Sequence, residues 1–578
     1  MNNNDIDIRR SSSAGQSQGP VSIVSSSLWA ASADALGWIT ELADSALVKR
    51  RAGVSRLKKP VEWRRKVGGF SGVEVDLPEG TYSDDTQLRL AVSRGIGSYG
   101  VFDVEAFAKI ELPIWLSYAL GAGRGSKAAA AGLAKKGVNW FSNFYASKGQ
   151  QYVNGGGNGA AMRIQPHVWC AAPEKGDAML LDVLRNSLVT HGHPHGFCGA
   201  IFHAISLSDT LLEGAVSGPD SWEKYLGIFR DIPEMIASDP QLRDFWLPSW
   251  EKKSGVKLKD ALAGVRAECQ ADLNRIEDAI GSDNLEFSYF DVLTKLDLFN
   301  EKLRGSGLKT AIAANALSWL FRNSNVEDAV LCAANALGSD TDTIGTMAGA
   351  MLGALAPAPR WHVQDREYLV DEAIRLEKIR SGAVVSSFGY PDLMQWRAPA
   401  SMADAVMVSD ESIVLSGLGN AEPIGGEYST ADGGEVWQWM RLHFGQTIMV
   451  KRRRELAIAS ATLLPGSVAA RQQTDEDIAL QREVDRRRVI QQKSSQGRAS
   501  VIAEQEQLSS SGIRAQPSYN LSGLDEISEE VFSSGFSNEA VGRAINKCID
   551  LNQDIESAVA LVAIIAKAKL VRHRRSKV

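Results

Sequence analysis

The run TDTIGTMAGAMLGA at residues 341–354 sets Gly345, Gly349 and Gly353 four residues apart, which places all three on one face of an α-helix. A face without side chains lets a neighbouring backbone approach closely, so the segment belongs in a tightly packed interior. The apolar stretch from about Thr346 to Ala358 is well short of the ~20 residues that span a bilayer. Its packing partner is therefore expected to be protein, not lipid. Asp340, Thr341, Asp342 and Thr343 lead directly into it. A carboxylate carried into such an interior is costly unless it is exposed, paired or bound to a metal.

The other segments narrow the choice. With 578 residues the chain is long enough for two or more domains and a large core. A net charge of −6 and a pI near 5.9 give no global reason to expect nucleic acid or an anionic membrane as partner. Cys170, Cys198, Cys269, Cys332 and Cys548 are scattered, odd in number and never in a C-x-x-C pair. That argues against a disulfide framework and fits a reducing cytoplasm. Helical patterns such as SIVSSSLWAASADALGWI, DTQLRLAVSRGIGSYG and VEDAVLCAANALG alternate with glycine-rich loops, and alternating strand patterns are scarce. The expected class is all-α.

Residues 1–20 read as a disordered leader without a signal peptide, and 21–395 as the main helical domain. Residues 396–465 read as a variable connecting region, in which VWQWMRLHFGQTIMVKRRRELAIA is an apolar stretch ending in a basic run. Residues 466–520 are a polar linker or solvated helix, and 521–578 a small helical domain with the basic tail KAKLVRHRRSKV. The C-terminal extension is thus expected to be mostly helical. Its Gly-Phe turn faintly resembles ubiquitin-associated-type bundles, with an unrelated small bundle the preferred reading.

A second acidic cluster, Ser83, Asp84, Asp85 and Thr86, stands directly before a helix. Alone it could be an N-cap, since serine and aspartate suit that position and the positive end of the helix dipole. The repetition of the same chemistry at 340–343 favours a second reading. Massed hydroxyl and carboxylate oxygens are hard ligands for Mg²⁺ or Mn²⁺. Four aspartates on two loops can hold two cations that clamp a substrate oxygen and lower the pKa of bound water. The loop Asn154, Gly155, Gly156, Gly157, Asn158 and Gly159 is either a flexible turn or a place where backbone N–H groups approach phosphate or ribose oxygens. THGHPHG, with His191, His193 and His195, invites a zinc assignment, but no cysteine spacing supports one.

ASADALGWITE, YSDDTQL, NGGGNGAAMRIQPH, VTHGHPH and NALGSDTDTIGTMAGAMLGA occur in this order over residues 22–385. Together they resemble the ADP-ribosylglycohydrolase family, which includes the dinitrogenase reductase-activating glycohydrolases. The resemblance implies an all-α orthogonal bundle with a dinuclear site for two Mg²⁺, or Mn²⁺. It also implies hydrolysis of the glycosidic bond between ADP-ribose and an acceptor. Carried over, the metal ligands are Ser83, Asp84, Asp85, Asp340, Asp342 and Thr343. Ser83 stands where the family usually has threonine, and Ser339 replaces a common glycine. Glu41, Asp85 and Asp342 are expected to touch the water or ribose, and Asp34 to support the fold. Asn154 to Gly159, Met162 and His191 are expected on the substrate side. The acceptor stays open among arginine, serine, nucleic acid and small molecules. The alternative is a recognition or immunity protein that blocks a cognate ADP-ribosylating toxin or transferase sterically, with the C-terminal region recruiting a partner.

Overall fold

The computed structural model describes residues 21–466 apart from 70–71, 148, 282–283 and 432, and then 522–552, 558, 561–562 and 564–566. The leader, almost all of the polar linker and the basic tail fall outside the described residues. The chain divides into two compact units, Met1–Val489 and Ile490–Val578.

The first unit is built around the helices Ile23–Thr40 and Thr341–Ala354, which are buried along almost their whole length. Their small faces interlock. A Cβ at Gly349 would lie 2.8 Å from the Trp29 carbonyl oxygen, and one at Gly353 2.5 Å from the Trp29 Cβ. Serines on the first helix convert this closeness into hydrogen bonds, with Ser26 Oγ donating to Ala350 O at 2.6 Å and Ser25 Oγ to Ala356 O at 2.6 Å. The glycine stripe therefore marks a helix–helix seam in protein, as its spacing requires. No helix among the described residues is long and apolar enough to cross a membrane. The helices Pro194–Glu213 and Gly307–Leu320 meet in the same manner, a Cβ at Gly199 falling 2.3 Å from the Gly307 carbonyl.

The helix Asp84–Gly95 is buried throughout. Its far end is fixed by an ion pair with no access to solvent, in which Arg94 Nε and Nη2 donate to the two Glu111 carboxylate oxygens at 2.7 and 2.8 Å. Arg94 also donates to Gln446 Oε1 at 2.7 Å, and the Tyr390 hydroxyl donates to Glu111 at 2.6 Å. A buried pair is tolerable only with its remaining lone pairs and protons satisfied in this way.

Strands β1 (Trp63–Val67) and β2 (Val73–Leu77) form an antiparallel hairpin pairing Trp63 with Leu77 and Val67 with Val73. The two-residue strands β3 (Ala146–Ser147) and β4 (Gln150–Gln151) pair likewise. The expectation of a mostly helical extension is corrected between residues 406 and 453. There β5 (Val406–Ser409), β6 (Ser412–Leu415), β7 (Gly419–Ser429), β8 (Glu435–Leu442) and β9 (Thr447–Arg453) make a five-stranded antiparallel sheet in sequence order. Covering both faces of β8 is the cause. Trp437 lies against Gly68 and Trp439 Nε1 donates to Asp76 O at 3.3 Å, both on the β1–β2 hairpin, while Val436 and Met440 are buried on the other face. A strand covered on both faces loses its two-residue alternation and reads as a continuous apolar run. The sheet is tied to the helices through Lys451 N–H to Ser117 O at 2.9 Å and Thr447 N–H to Asp365 at 2.7 Å.

In the second unit the helices Ser522–Ser533 and Asn538–Asn552 are joined by a turn with both Gly535 and Phe536 in the left-handed region. Ile527, Val531, Phe536, Ala544 and Cys548 form its core with Leu561 and Ile565.

Candidate active site

Asp34, in the middle of the buried first helix, accepts from Ser83 N–H at 3.0 Å and from the Thr86 N–H and hydroxyl at 2.9 and 2.6 Å. Ser83 Oγ accepts from Asp85 N–H at 3.2 Å as the N-cap. The donors at this helix start are thus satisfied by Asp34, Ser83 and, for the Asp84 N–H at 2.7 Å, the Leu120 carbonyl, and the carboxylates of Asp84 and Asp85 are released from capping. Capping accounts for Ser83 and not for the two aspartates. Both aspartates are buried, and among the described residues Oδ2 of Asp85 has no hydrogen-bond partner. Burial, followed by the charges of Glu41 and Asp34, pushes the Asp84 carboxyl well above the usual range. Burial, followed by Asp34, Asp84 and Asp340, does the same to Asp85.

The second loop reaches the same place from the opposite side. Asp340 precedes the helix Thr341–Ala354 without capping it through its side chain; Asn158 Nδ2 instead donates to its Oδ2 at 3.0 Å. Asp342 Oδ1 accepts from Thr343 N–H at 2.9 Å, and Thr343 Oγ1 lies 3.4 Å from Asp85 Oδ1, which joins the two loops. Asp342 is pushed well above the usual range by burial, then by Glu41, Asp340 and Asp85. Gly37 permits the closeness, since a Cβ there would lie 2.5 Å from the Asp342 Cα. Thr341 Oγ1 donates to the Gly37 carbonyl at 2.9 Å and pins the loop. Ser339, in place of the family glycine, is accommodated by donating to Ala336 O at 2.8 Å.

Glu41 follows the last residue of the first helix and meets Arg65 of β1 at 3.5 Å. Burial raises its pKa, Arg65 opposes the rise and Asp340 adds to it. The Arg65 guanidinium lies 5.0 Å from the Trp38 ring and 5.9 Å from that of Trp63, and the two indoles pack edge to face at 5.0 Å. Sequence reasoning missed Arg65. Its only signal was a cation beside a tryptophan in a basic run, 24 positions from its acid.

Among the described residues none of Asp84, Asp85 and Asp342 is ion-paired to lysine or arginine. Lys127 opposes the rise at Asp84 and Arg89 that at Asp85 without cancelling either, and buried like charges so incompletely compensated cannot all ionise. The orphaned Asp85 oxygen and the hydroxyls of Ser83 and Thr343 complete a donor set of hard oxygens, which fits Mg²⁺ or Mn²⁺. Among the described residues no three His, Cys, Asp or Glu side chains are gathered as a ready-made metal site; the oxygens stand on two separate loops.

The loop 154–159 and His191 form a second group, joined to the first through Asn158. Gly307 N–H donates to Gly156 O at 2.9 Å and His193 N–H to Gly155 O at 3.2 Å. The expectation of N–H groups free for substrate is corrected for three members. Gly155, Gly156 and Asn158 donate to Tyr152 O, Asn154 O and Gly305 O. The glycines serve close packing as well, for a Cβ at Gly159 would lie 2.8 Å from Ser126 Oγ and 3.1 Å from His191 Cε1. His191 Nδ1 shares a 2.7 Å hydrogen bond with Thr190 Oγ1, which accepts from Arg163 at 2.9 Å. Burial, with Arg163 nearby, lowers the His191 pKa to about 3, so the ring is neutral. Met162 is buried in the main core, and Asn154 is half-buried at the loop start. His195 bonds Glu268 at 2.8 Å through Nε2 and Ser306 at 3.1 Å through Nδ1; both ring nitrogens are engaged away from any zinc.

Comparison with known proteins adds a family to this geometry. The family model for ADP-ribosylglycohydrolase matches residues 26–380. The uncharacterized protein YegU of Escherichia coli (strain K12) is 30% identical over 206 residues, 35% of this chain and 51% of its own length. The chain therefore spans about half the length of that relative. Among solved structures, an ADP-ribosylglycohydrolase-related protein complex is similar with a TM-score of 0.39 and 19% identity, over 62% of this chain and 97% of the other. The family match covers more than half of the sequence and takes in Glu41, both aspartate loops and the glycine loop: the chain belongs to the ADP-ribosylglycohydrolase family.

Proposed function

We infer that this chain is a hydrolase that removes ADP-ribose from a modified acceptor by cleaving the glycosidic bond, with Mg²⁺ or Mn²⁺ between the two aspartate loops. The observation that carries the reading is the facing set of buried carboxylates, Asp84, Asp85 and Asp342, raised by burial and by neighbouring acids, with no lysine or arginine ion-paired to them among the described residues. Lys127 and Arg89 act on Asp84 and Asp85 without offsetting the rise, whereas a structural ion-pair network would have closed on the carboxylates.

Ser83, Asp84, Asp85, Asp340, Asp342 and Thr343 would hold two cations, which when bound supply Lewis-acid polarisation of ribose oxygens and a water of lowered pKa. Arg65 favours the ionised form of Glu41 against burial, so Glu41 serves to accept a proton from the attacking water or to orient it. Asn158 fixes the rotamer of Asp340, and Gly37 with Thr341 fixes the position of Asp342. His191, neutral and held at Nδ1 by Thr190, is set beside Gly157 and Gly159 to bond a ribose hydroxyl. In the net reaction water oxygen bonds to the anomeric carbon, the bond to the acceptor breaks, and the acceptor leaves with a proton.

Release of free ADP-ribose from ADP-ribosylated arginine, serine and nucleic-acid substrates tests the reading. Release with Mg²⁺ that EDTA or Asp342→Ala abolishes is the expected result. Release that survives both removes the metal from the account, and binding of ADP-ribose without release from any substrate supports the recognition alternative.

A further inference from the structure

The chain is acidic overall at −6, yet the stretch Ser45–Val67 holds nine lysines and arginines against one acid, Glu62. The stretch lies immediately beside the candidate site. The last turn of the helix Ser45–Ala52 carries Lys49, Arg50 and Arg51, the following loop Arg56, Lys58 and Lys59, and β1 three more. Lys49, Arg50, Lys58 and Lys59 are exposed and form no ion pair among the described residues. Arg56 pairs with Glu286 at 2.8 Å and Arg64 with Asp76 at 2.6 Å, both in solvent, where such pairs contribute little and exchange partners readily. The inward end of the strip is different. Arg51 donates to Ile39 O at 2.8 Å and Glu41 O at 3.1 Å, and Arg65 meets the Glu41 carboxylate. A line of positive charge therefore runs from open solvent to the residue that borders the carboxylates.

A cavity of about 400 Å³ adjoins the strip, with Leu57, Phe321 and Leu331 as apolar wall, the carboxylates of Glu286 and Asp328 in its lining and Arg56 and Lys58 at the strip side. That size falls within the ~300–1,000 Å³ of small-ligand pockets. Asn335 ties the strip to the second aspartate loop: its Oδ1 accepts from Leu57 N–H at 2.8 Å, and Asp340 lies five residues further along the chain.

We propose that this strip is a nucleic-acid-binding rim and that the acceptor carrying the ADP-ribose is a nucleic acid strand. Phosphates lie along Lys49, Arg50, Lys58 and Lys59, and a base adjacent to the modified nucleotide enters the cavity beside Phe321. Cations alone would suit an acidic peptide equally. The pocket's own acids, Glu286 and Asp328, repel an acidic side chain but can accept from the amino groups of a base, whose ring packs on the apolar wall while phosphates stay on the cations outside. The catalytic half of this proposal rests on the hydrolase reading above; the binding half does not.

The test uses the full-length protein and a fluorescent, unmodified single-stranded oligonucleotide, followed by anisotropy across a salt series. Four phosphate contacts give a slope of log K against log salt of about −2.8, from roughly −0.7 per contact. The variant K49E/R50E/K58E/K59E is expected to lose tenfold or more in affinity and to flatten the slope. With modified substrates it raises KM for an ADP-ribosylated oligonucleotide, leaves kcat unchanged, and leaves release from an ADP-ribosylated peptide unchanged. No binding at low salt, equal binding by the variant, or equal competition by polyglutamate overturns the proposal. Salt-dependent binding that the variant loses, without ADP-ribose release from any substrate, supports the rim and overturns the hydrolase reading.

Discussion

The two aspartate loops face each other with similar side chains, but the fold holds them by different means. At Ser83–Asp85 a carboxylate from another helix, Asp34, takes over the helix-capping donors. At Asp340–Thr343 the side chain at the cap position does not cap, and the loop is pinned from outside by Thr341 to the Gly37 carbonyl and by Asn158 to Asp340. Both arrangements leave carboxylate oxygens without structural duties. A pair of acids at a helix start is available for chemistry only when something else satisfies the backbone there.

Removing the outside help at the first loop has the largest expected effect. Asp34→Ala strands two buried N–H groups and a hydroxyl, at ~1–3 kcal/mol for each unsatisfied group. A loss of about 3 kcal/mol or more in urea unfolding is expected, with Asp34→Asn milder because its amide oxygen still accepts. Equal stability of the alanine variant would break the comparison. At the second loop, Gly37→Val drives a side chain into the Asp342 backbone; an overpacking cost of roughly 1–3 kcal/mol is expected, together with loss of ADP-ribose release. The smallest effect belongs to Asn158→Ala, which loosens Asp340 and is expected to cost about 1 kcal/mol or less in stability while lowering kcat more than KM changes.

The raised carboxylates also sharpen the comparison through pH. Their folded pKa values lie above the unfolded ones, so their contribution to stability is fully present below about pH 4 and is lost as pH rises through the raised values. In EDTA, the Tm of the wild type relative to Asp342→Asn is expected to fall between pH 5 and pH 8, and Mg²⁺ to restore it at pH 8 in the wild type alone. His191 acts with the opposite sign. Its folded pKa of about 3 gives stability that is present above its ordinary value near 6.5 and lost as pH falls, which is why the difference between the two proteins is the quantity to follow.

The site was legible where chemistry is written locally. Ser83 to Asp85 and Asp340 to Thr343 announce themselves as oxygen donors at helix starts, and the glycine stripe announces the seam that carries the second loop. What was not legible depends on distant partners. Asp34 caps a helix 49 residues away, and Arg65 acts on Glu41 across a hairpin. Strand β8 hid its alternation because both of its faces are covered. The glycine loop spends N–H groups on Tyr152 and Gly305, partners that its own composition does not reveal. Net charge hides local detail for a related reason: −6 averages over a chain in which one short stretch is strongly basic.

If the two loops act together as one cation site, neither binds metal without the other. Calorimetric titration of the metal-free, full-length protein with Mn²⁺ tests it most directly, comparing wild type with Asp85→Ala and Asp342→Ala. Two Mn²⁺ per wild-type chain and a loss of binding in both variants are expected, although the substitutions lie on different loops. Binding that is absent from the wild type, or that survives in either variant with unchanged affinity and stoichiometry, would contradict it.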